Sequence, residues 1–175
     1  MNFLKIALSN QLKNNDFNSW QTTNLNDETQ ASELAAIVVA ETDKSSLKTA
    51  QDLQKKSGLG IPIIKVSHET ISNNEKNQII DTANQYTAEM VPGFLTDLVN
   101  FAEDRPVSFT TPGHHNGLYY EKHPAGVVFN RFFGKNLMFA DTSDTVPELG
   151  DTMTHEGTPL TAEQKAAETY HADKV

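Results

Sequence analysis

The hydrophobic pattern changes character along the chain. Phe3, Leu4, Ile6, Ala7 and Leu8 form a short apolar run broken by one lysine, which predicts a buried strand. A polar stretch rich in Asn, Asp and Thr follows from Ser9 to Gln30. Ala35 to Ala40 then reads AAIVVA, continuous and partly β-branched, as expected of a strand covered on both faces of a parallel sheet. Thr42 or Asp43 is placed to cap a helix with Leu47, Ala50 and Leu53 on its apolar face, and Ser57-Gly58 closes it. Ile61 to Val66 supplies the next strand. This strand, helix, strand order is a βαβ unit and predicts a doubly wound α/β domain.

A second helical pattern starts near Asn77, carries Ile79, Ile80, Ala83, Tyr86 and Met90 on one side, and is interrupted at Pro92-Gly93. Phe94, Leu95, Leu98, Val99 and Ala102 continue at helical spacing to Glu103. Beyond Arg105-Pro106, glycine, proline and aromatic residues become dense, and seven of the nine glycines lie between Gly93 and Gly157. That composition predicts an irregular, glycine-rich linker with short helices, too sparse in periodic apolar residues to build a large core. Helical order resumes from Thr161 to Tyr170, where Thr161 and Gln164 have capping-box spacing. The expected division is a doubly wound domain over 1–75, connecting helices over 76–104, and a linker leading into a further domain over 105–175.

Composition narrows the classes of function. Of 175 residues, 37% are hydrophobic and 21% charged, which is ordinary for a globular protein. The net charge of -9, with no cluster of Lys and Arg, argues against a nucleic-acid partner. The chain has no cysteine, which excludes disulfides, thiolate catalysis and cysteine zinc sites. The start lacks the pattern of a signal peptide, and no run approaches the roughly 18 apolar residues of a membrane span. A soluble cytoplasmic protein is expected.

The stretch TPGHHNGLYYEKHPAG, Thr111 to Gly126, raises three chemical readings. For a metal site, five of the six histidines (His114, His115, His123, His155 and His171) lie near Asp141, Asp144, Asp151 and Glu156. Adjacent histidines diverge, however, and the His-x-x-x-His spacing is missing, so no metal is expected. For a phosphate loop, Gly134-Lys135-Asn136 has no Ser or Thr after the lysine. An anion nest between Gly113 and Gly117 competes with an ordinary glycine turn. For nucleophilic catalysis, Ser108 and Ser143 lack the surrounding glycines of a nucleophile elbow. The aromatic patch of Phe129, Phe132, Phe133 and Phe139, with Leu137 and Met138, reads as packing or interface surface.

Taken in order, TPGHHNG, KHPAG, FFGKNL with Ala140-Asp141, ELGD, HEG at His155 to Gly157 and HADK resemble the bacterial ornithine, lysine and arginine decarboxylases. The preceding part is similar to that family's flavodoxin-like wing domain. The resemblance implies an N-terminal segment, wing plus linker, of a pyridoxal-phosphate enzyme that assembles as a homo-oligomer. It further implies that Thr111, Pro112, Gly113, His114, His115, Gly117, His155, Glu156 and Gly157 lie near the active site of the complete enzyme. The family's Schiff-base lysine motif, Ser-x-His-Lys, does not occur in these residues. No catalytic or cofactor-binding residue is therefore expected within the chain, nor any cofactor bound to it alone.

HEG and HADK look like the ornithine members, and TVPELG from Thr145 to Gly150 is closer to the lysine and arginine members. Ornithine is the expected substrate of the complete enzyme, with lysine and arginine as alternatives. Only about ten residues separate His68 from the helix near Ile79, where the family usually has a further helix and strand, so one sheet edge is expected to be exposed or met by a swapped partner. A rival from another class is a stand-alone receiver or flavodoxin-type binding or assembly module with Asp16 and Asp43 as its acidic pocket.

Overall fold

Lys5–Leu8 (β1) runs parallel to Gln21–Asn24 (β2) on one side and to Leu34–Ala40 (β3) on the other, and β3 pairs in parallel with Ile63–Val66 (β4). The sheet order β2-β1-β3-β4 reproduces the first four positions of the flavodoxin-like order. The computed structural model describes residues 3–12, 16–107, 113–143 and 146–174, and divides the chain into two compact units, Met1–Met90 and Val91–Val175.

All seven residues of β3 are buried, because the strand is covered on both faces. Ile6, Leu8, Ala36, Val38 and Ala40 face a cluster containing Leu12, Phe17, Trp20, Ile79 and Ala83, while Ala7, Ile37 and Val39 face Leu25, Ala50 and Ile61. Complete burial of each Ile or Val contributes on the order of 2 kcal/mol. The short central strands therefore hold the sheet, and β2, polar throughout, adds mainly backbone pairing.

Lys44–Ser57 (α1) covers the second face. Of its two sequence candidates for N-cap, Asp43 holds the position. One carboxylate oxygen accepts from Ser46 N–H (3.0 Å) and the Ser45 hydroxyl (3.0 Å), and the other from the Ser46 hydroxyl (2.7 Å). Thr42 instead donates to Gln11 Oε1 at 2.8 Å. Gly58 ends the helix in the left-handed conformation, as the Ser57-Gly58 pair predicts.

Asn73–Met90 (α2) covers the other face and starts four residues before Asn77. Its start is fixed by a reciprocal capping box: Ser72 N–H donates to Glu75 Oε2 (2.9 Å), and Glu75 N–H donates to Ser72 Oγ (3.3 Å). Burial of Tyr86 pushes its phenol above the usual range.

In the second unit, Gly93–Glu103 (α3) follows Pro92, and Pro124–Phe133 (α4) and Lys135–Ala140 (α5) are the short helices of the glycine-rich stretch. Gly150–Asp151 (β5) and Glu156–Gly157 (β6) form a small antiparallel hairpin leading into Thr158–Tyr170 (α6). Both α5 and α6 pack on α3, and the Thr158 hydroxyl donates to Asp97 Oδ2 at 2.7 Å. The capping box expected at Thr161 and Gln164 does not form. The helix begins three residues earlier, with Gly157 at the N-cap and proline in the first turn, so Thr161 lies inside it and donates back to the Gly157 carbonyl. The buried apolar residues described in this unit are Ala102, Met138, Val146 and Leu149, a core of fewer residues than that of the first unit.

Candidate functional site

Thr111, Pro112, Ser108 and Asp144 lie outside the described residues, so the candidate site begins at Gly113. From there the chain makes a tight left-handed turn: His115, Asn116 and Gly117 have φ of 47°, 55° and 83°. Glycine is required at the third position for two reasons. Its φ disfavours a side chain, and a Cβ there would lie 2.9 Å from Met138 Cγ on α5.

Three successive residues of this conformation resemble an anion nest, but the turn uses its own N–H groups. Gly117 N–H donates to the His114 carbonyl (3.0 Å) and to His114 Nδ1 (3.1 Å), Leu118 N–H to the His115 carbonyl, and Tyr120 N–H to the Gly117 carbonyl. The Asn116 amide donates to the Pro106 carbonyl. This is the ordinary glycine turn of the two sequence readings.

The His114 ring makes two hydrogen bonds, one within the turn and one to the end of α5. With Nδ1 accepting from Gly117, the ring is fixed as the Nε2–H tautomer, and Nε2 donates to Asp141 Oδ2 at 3.1 Å. The imidazole side chain is only 12% exposed and Asp141 is 55% exposed, so the pair joins the turn to the end of α5 at the rim of the unit. His115 points elsewhere and meets the Tyr119 ring edge-on at 5.4 Å.

The remaining histidines are dispersed. His123 accepts from Ala125 N–H as the N-cap of α4, where Pro124 opens the helix. His155, at φ 56°, places Nδ1 2.8 Å from both carboxylate oxygens of Glu163 on α6. His171 sits in the left-handed position after α6. Among the described residues, no three His, Asp or Glu side chains converge in a set that could hold a metal ion.

Glu156 and Gly157 form β6, and Asp151 Oδ1 accepts from Met153 N–H (2.6 Å) and Thr154 N–H (3.2 Å) to close the hairpin loop. The structure thus gathers Gly113, His114, His115 and Gly117 into one turn and places His155, Glu156 and Gly157 together in a separate hairpin.

A cleft of about 190 Å³ opens beside the turn, lined in part by Arg105, Asn116, Glu121, Asn130, Lys135 and Phe139. Lys135 Nζ is 2.7 Å from Glu121 Oε1, and this contact holds the Glu121 carboxyl below its usual range, first through the hydrogen bond and then through the charge. Arg105 lies over the Phe139 ring at 5.7 Å, and Asn130 Oδ1 is buried without a hydrogen-bond partner. These relationships were not legible in the sequence, because each joins residues on different elements. Only the closeness of Gly117 to a bulky residue had a signal, the glycine itself.

Similarity to known proteins gives the class: the chain resembles segments of basic amino acid decarboxylases. Residues 92–175, starting just past the boundary between the two units, match the family described as Orn/Lys/Arg decarboxylase, major domain, and this stretch of the chain belongs to that family. Constitutive ornithine decarboxylase of Escherichia coli K12 is 32% identical over 187 residues, a match that takes in 100% of this chain and 26% of that enzyme. Lysine decarboxylase LdcA of Pseudomonas aeruginosa is 40% identical over 96 residues, covering 55% of this chain and 13% of the relative. The chain spans about a quarter or less of the length of these relatives. The same fold occurs in the solved constitutive lysine decarboxylase of E. coli, with a TM-score of 0.61 and 21% identity over 98% of this chain and 30% of the other. Lysine decarboxylase A of P. aeruginosa gives 0.60 and 23% over 99% and 30%.

Proposed function

We propose that this chain supplies the N-terminal wing domain and linker of a pyridoxal-phosphate-dependent, cytoplasmic decarboxylase of basic amino acids, with ornithine as substrate and putrescine and CO2 as products. Lysine and arginine remain the alternative substrates. In this reading the wing, expected over 1–75, extends through α2 to Met90, because α2 covers one face of its sheet; Gly93–Glu103 is the connecting helix, and 105–175 is the linker and the start of the cofactor-binding domain. Gly113, His114, His115, Gly117, His155, Glu156 and Gly157, with Thr111 and Pro112, lie near an active site completed by other residues.

The residues present do not by themselves fit pyridoxal phosphate. A Schiff base requires an uncharged amine held in a shielded site. Lys135 is 59% exposed and ion-paired with Glu121, and the Lys122 ammonium lies 5.2 Å over the Tyr119 ring. The role assigned to the chain is structural.

One observation carries this reading: the polar groups of the motif-bearing turn are spent on holding its own shape, through the His114 contacts to Gly117 and Asp141. Such a turn is a preformed support. The rival reading, a flavodoxin or receiver module, needs open acidic or anion-binding groups at the carboxyl ends of β1 and β3. At that place the Ser9 hydroxyl accepts from Ala40 N–H (3.2 Å), Gln11 and Thr42 are bonded to each other, and both oxygens of Asp43 cap α1. No observation favours the rival.

The test is direct. The chain, mixed with pyridoxal phosphate and ornithine, is expected to give no Schiff-base absorbance and no putrescine. A stoichiometric borohydride-trapped adduct on one lysine, with turnover, would overturn the reading. A flavin titration that saturates at one equivalent would favour the rival.

A further inference from the structure

We propose that β4 is a self-pairing edge, at which two copies of this chain join their sheets in antiparallel register about Ile64. This goes beyond the decarboxylase reading and does not depend on it.

Among the described residues the sheet order stops at β4, where a flavodoxin-like sheet has a fifth strand. The backbone pattern there is specific. Ile37 N–H donates to the Pro62 carbonyl and Glu41 N–H to the Val66 carbonyl, both at 2.9 Å, so even-numbered residues of β4 direct their backbone groups to β3. By alternation, the N–H and C=O of Ile63 and Lys65 point outward from the sheet. Ile63 and Ile64 pack partly into the two core clusters on opposite faces, so the edge is apolar on both sides, and Lys65 is its single exposed charge.

A second copy is the occupant these facts select. About a two-fold axis at Ile64, Ile63 of each copy lies opposite Lys65 of the other. The two outward-facing residues on each strand then form two hydrogen-bonded pairs, with four N–H···O=C bonds and none left over. Each lysine meets an isoleucine rather than the other lysine, so the register brings no like charges face to face. A one-residue slip would set β3-facing groups against outward ones and lose all four bonds. An extended segment of another protein could add to the same edge, but nothing fixes its register, whereas this strand complements itself.

The experiment uses the whole chain. Hydrogen exchange is followed at low and high protein concentration, together with oxidation of an Ile64→Cys variant, which has no background because the chain lacks cysteine. Opposed residues of a non-hydrogen-bonded pair lie about 4.5 Å apart between Cα atoms, within disulfide reach. The expected result is exchange at Ile63 and Lys65 that slows at least tenfold as concentration rises, and a disulfide-linked dimer from Ile64→Cys but not from the exposed Lys48→Cys. Exchange at Ile63 and Lys65 that stays fast at every concentration overturns the proposal. So does oxidation of the two cysteine variants at equal rates. Dimers that form without protecting these amides would belong to another surface and would equally overturn it.

Discussion

Gly150 and Gly157 face each other across the β5–β6 hairpin so closely that a Cβ on Gly150 would lie 2.2 Å from the Glu156 carbonyl oxygen and 2.9 Å from Gly157 Cα. Both have positive φ, 93° and 66°. The obstacle is backbone, which cannot move aside as a side chain does. Gly150→Ala is therefore expected to destabilise the second unit by on the order of 3 kcal/mol, combining left-handed strain and overpacking. Gly117→Ala, which meets the flexible Met138 side chain, should cost about 1 to 2 kcal/mol. Urea unfolding followed by near-ultraviolet circular dichroism checks the order. Equal losses would show that the Gly150 hairpin yields more easily than its contacts imply.

The Asp43 cap gives a pH-dependent prediction. Its carboxyl is held below the usual range, first by the Ser46 backbone N–H and next by the Ser46 hydroxyl, against a smaller opposing effect of burial. A carboxyl lowered in the folded state contributes stability that is fully present above its unfolded value of 3.8. That contribution is lost as pH falls through the lower folded value. Asp43→Ala should cost about 1 to 2 kcal/mol at neutral pH, the usual cost of removing an N-cap. The gap between wild type and variant should narrow once the pH drops below that unfolded value. Denaturant midpoints across an acid series test this, and a gap that stays constant down to the acid limit would sink it.

How far the sequence carried is a matter of which groups act locally. β3, α1 and the break at Pro92 follow from neighbouring residues: a continuous apolar run, Asp43 and Gly58 at the two ends of one helix, and a proline that cannot continue another. β2 was missed because Gln21–Asn24 is polar and lies at a sheet edge, where no alternation of apolar residues is imposed. Its placement comes from flanking anchors, Phe17, Trp20 and Leu25, which are buried. The start of α2 was legible in Ser72-x-x-Glu75, a signal masked by the later onset of apolar periodicity. At the candidate site, the motifs marked where the backbone turns. The pairing of His114 with Asp141 spans 27 residues and depends on α5 packing beside the turn, which no local pattern encodes.

The α4 surface leads to a prediction about association. Phe132 is 80% exposed, Val128 67% and Phe133 54%, while Phe129 and Tyr120 stack at 5.3 Å beneath them. An apolar stripe of this kind on one helix face marks a surface that is covered by a partner. Phe132→Glu should leave unfolding within about 0.5 kcal/mol of wild type, as for an exposed site, while lowering the average mass at high concentration in light scattering. An unchanged mass profile would remove this stripe from the self-association proposed for the chain.

The fixed tautomer of His114 separates its two bonds experimentally. Nδ1 accepts from Gly117 N–H and Nε2 donates to Asp141, so nitrogen-15 spectra of the neutral imidazole should show a proton on Nε2 and none on Nδ1. Asparagine can place an acceptor near the Nδ1 position but cannot reach Asp141. Glutamine can offer an amide N–H toward Asp141 but leaves Gly117 N–H without its side-chain acceptor. Gly117 N–H also donates to the His114 carbonyl, so the glutamine variant keeps part of the turn. If the turn is what His114 chiefly holds, His114→Asn should retain the chemical shifts of Gly117 and Leu118, and His114→Gln should move both. Each loss is expected at about 1 kcal/mol, the net worth of a hydrogen bond. A spectrum showing the proton on Nδ1, or glutamine preserving the turn better than asparagine, would reverse the assignment and make Asp141, rather than Gly117, the group that orients the ring.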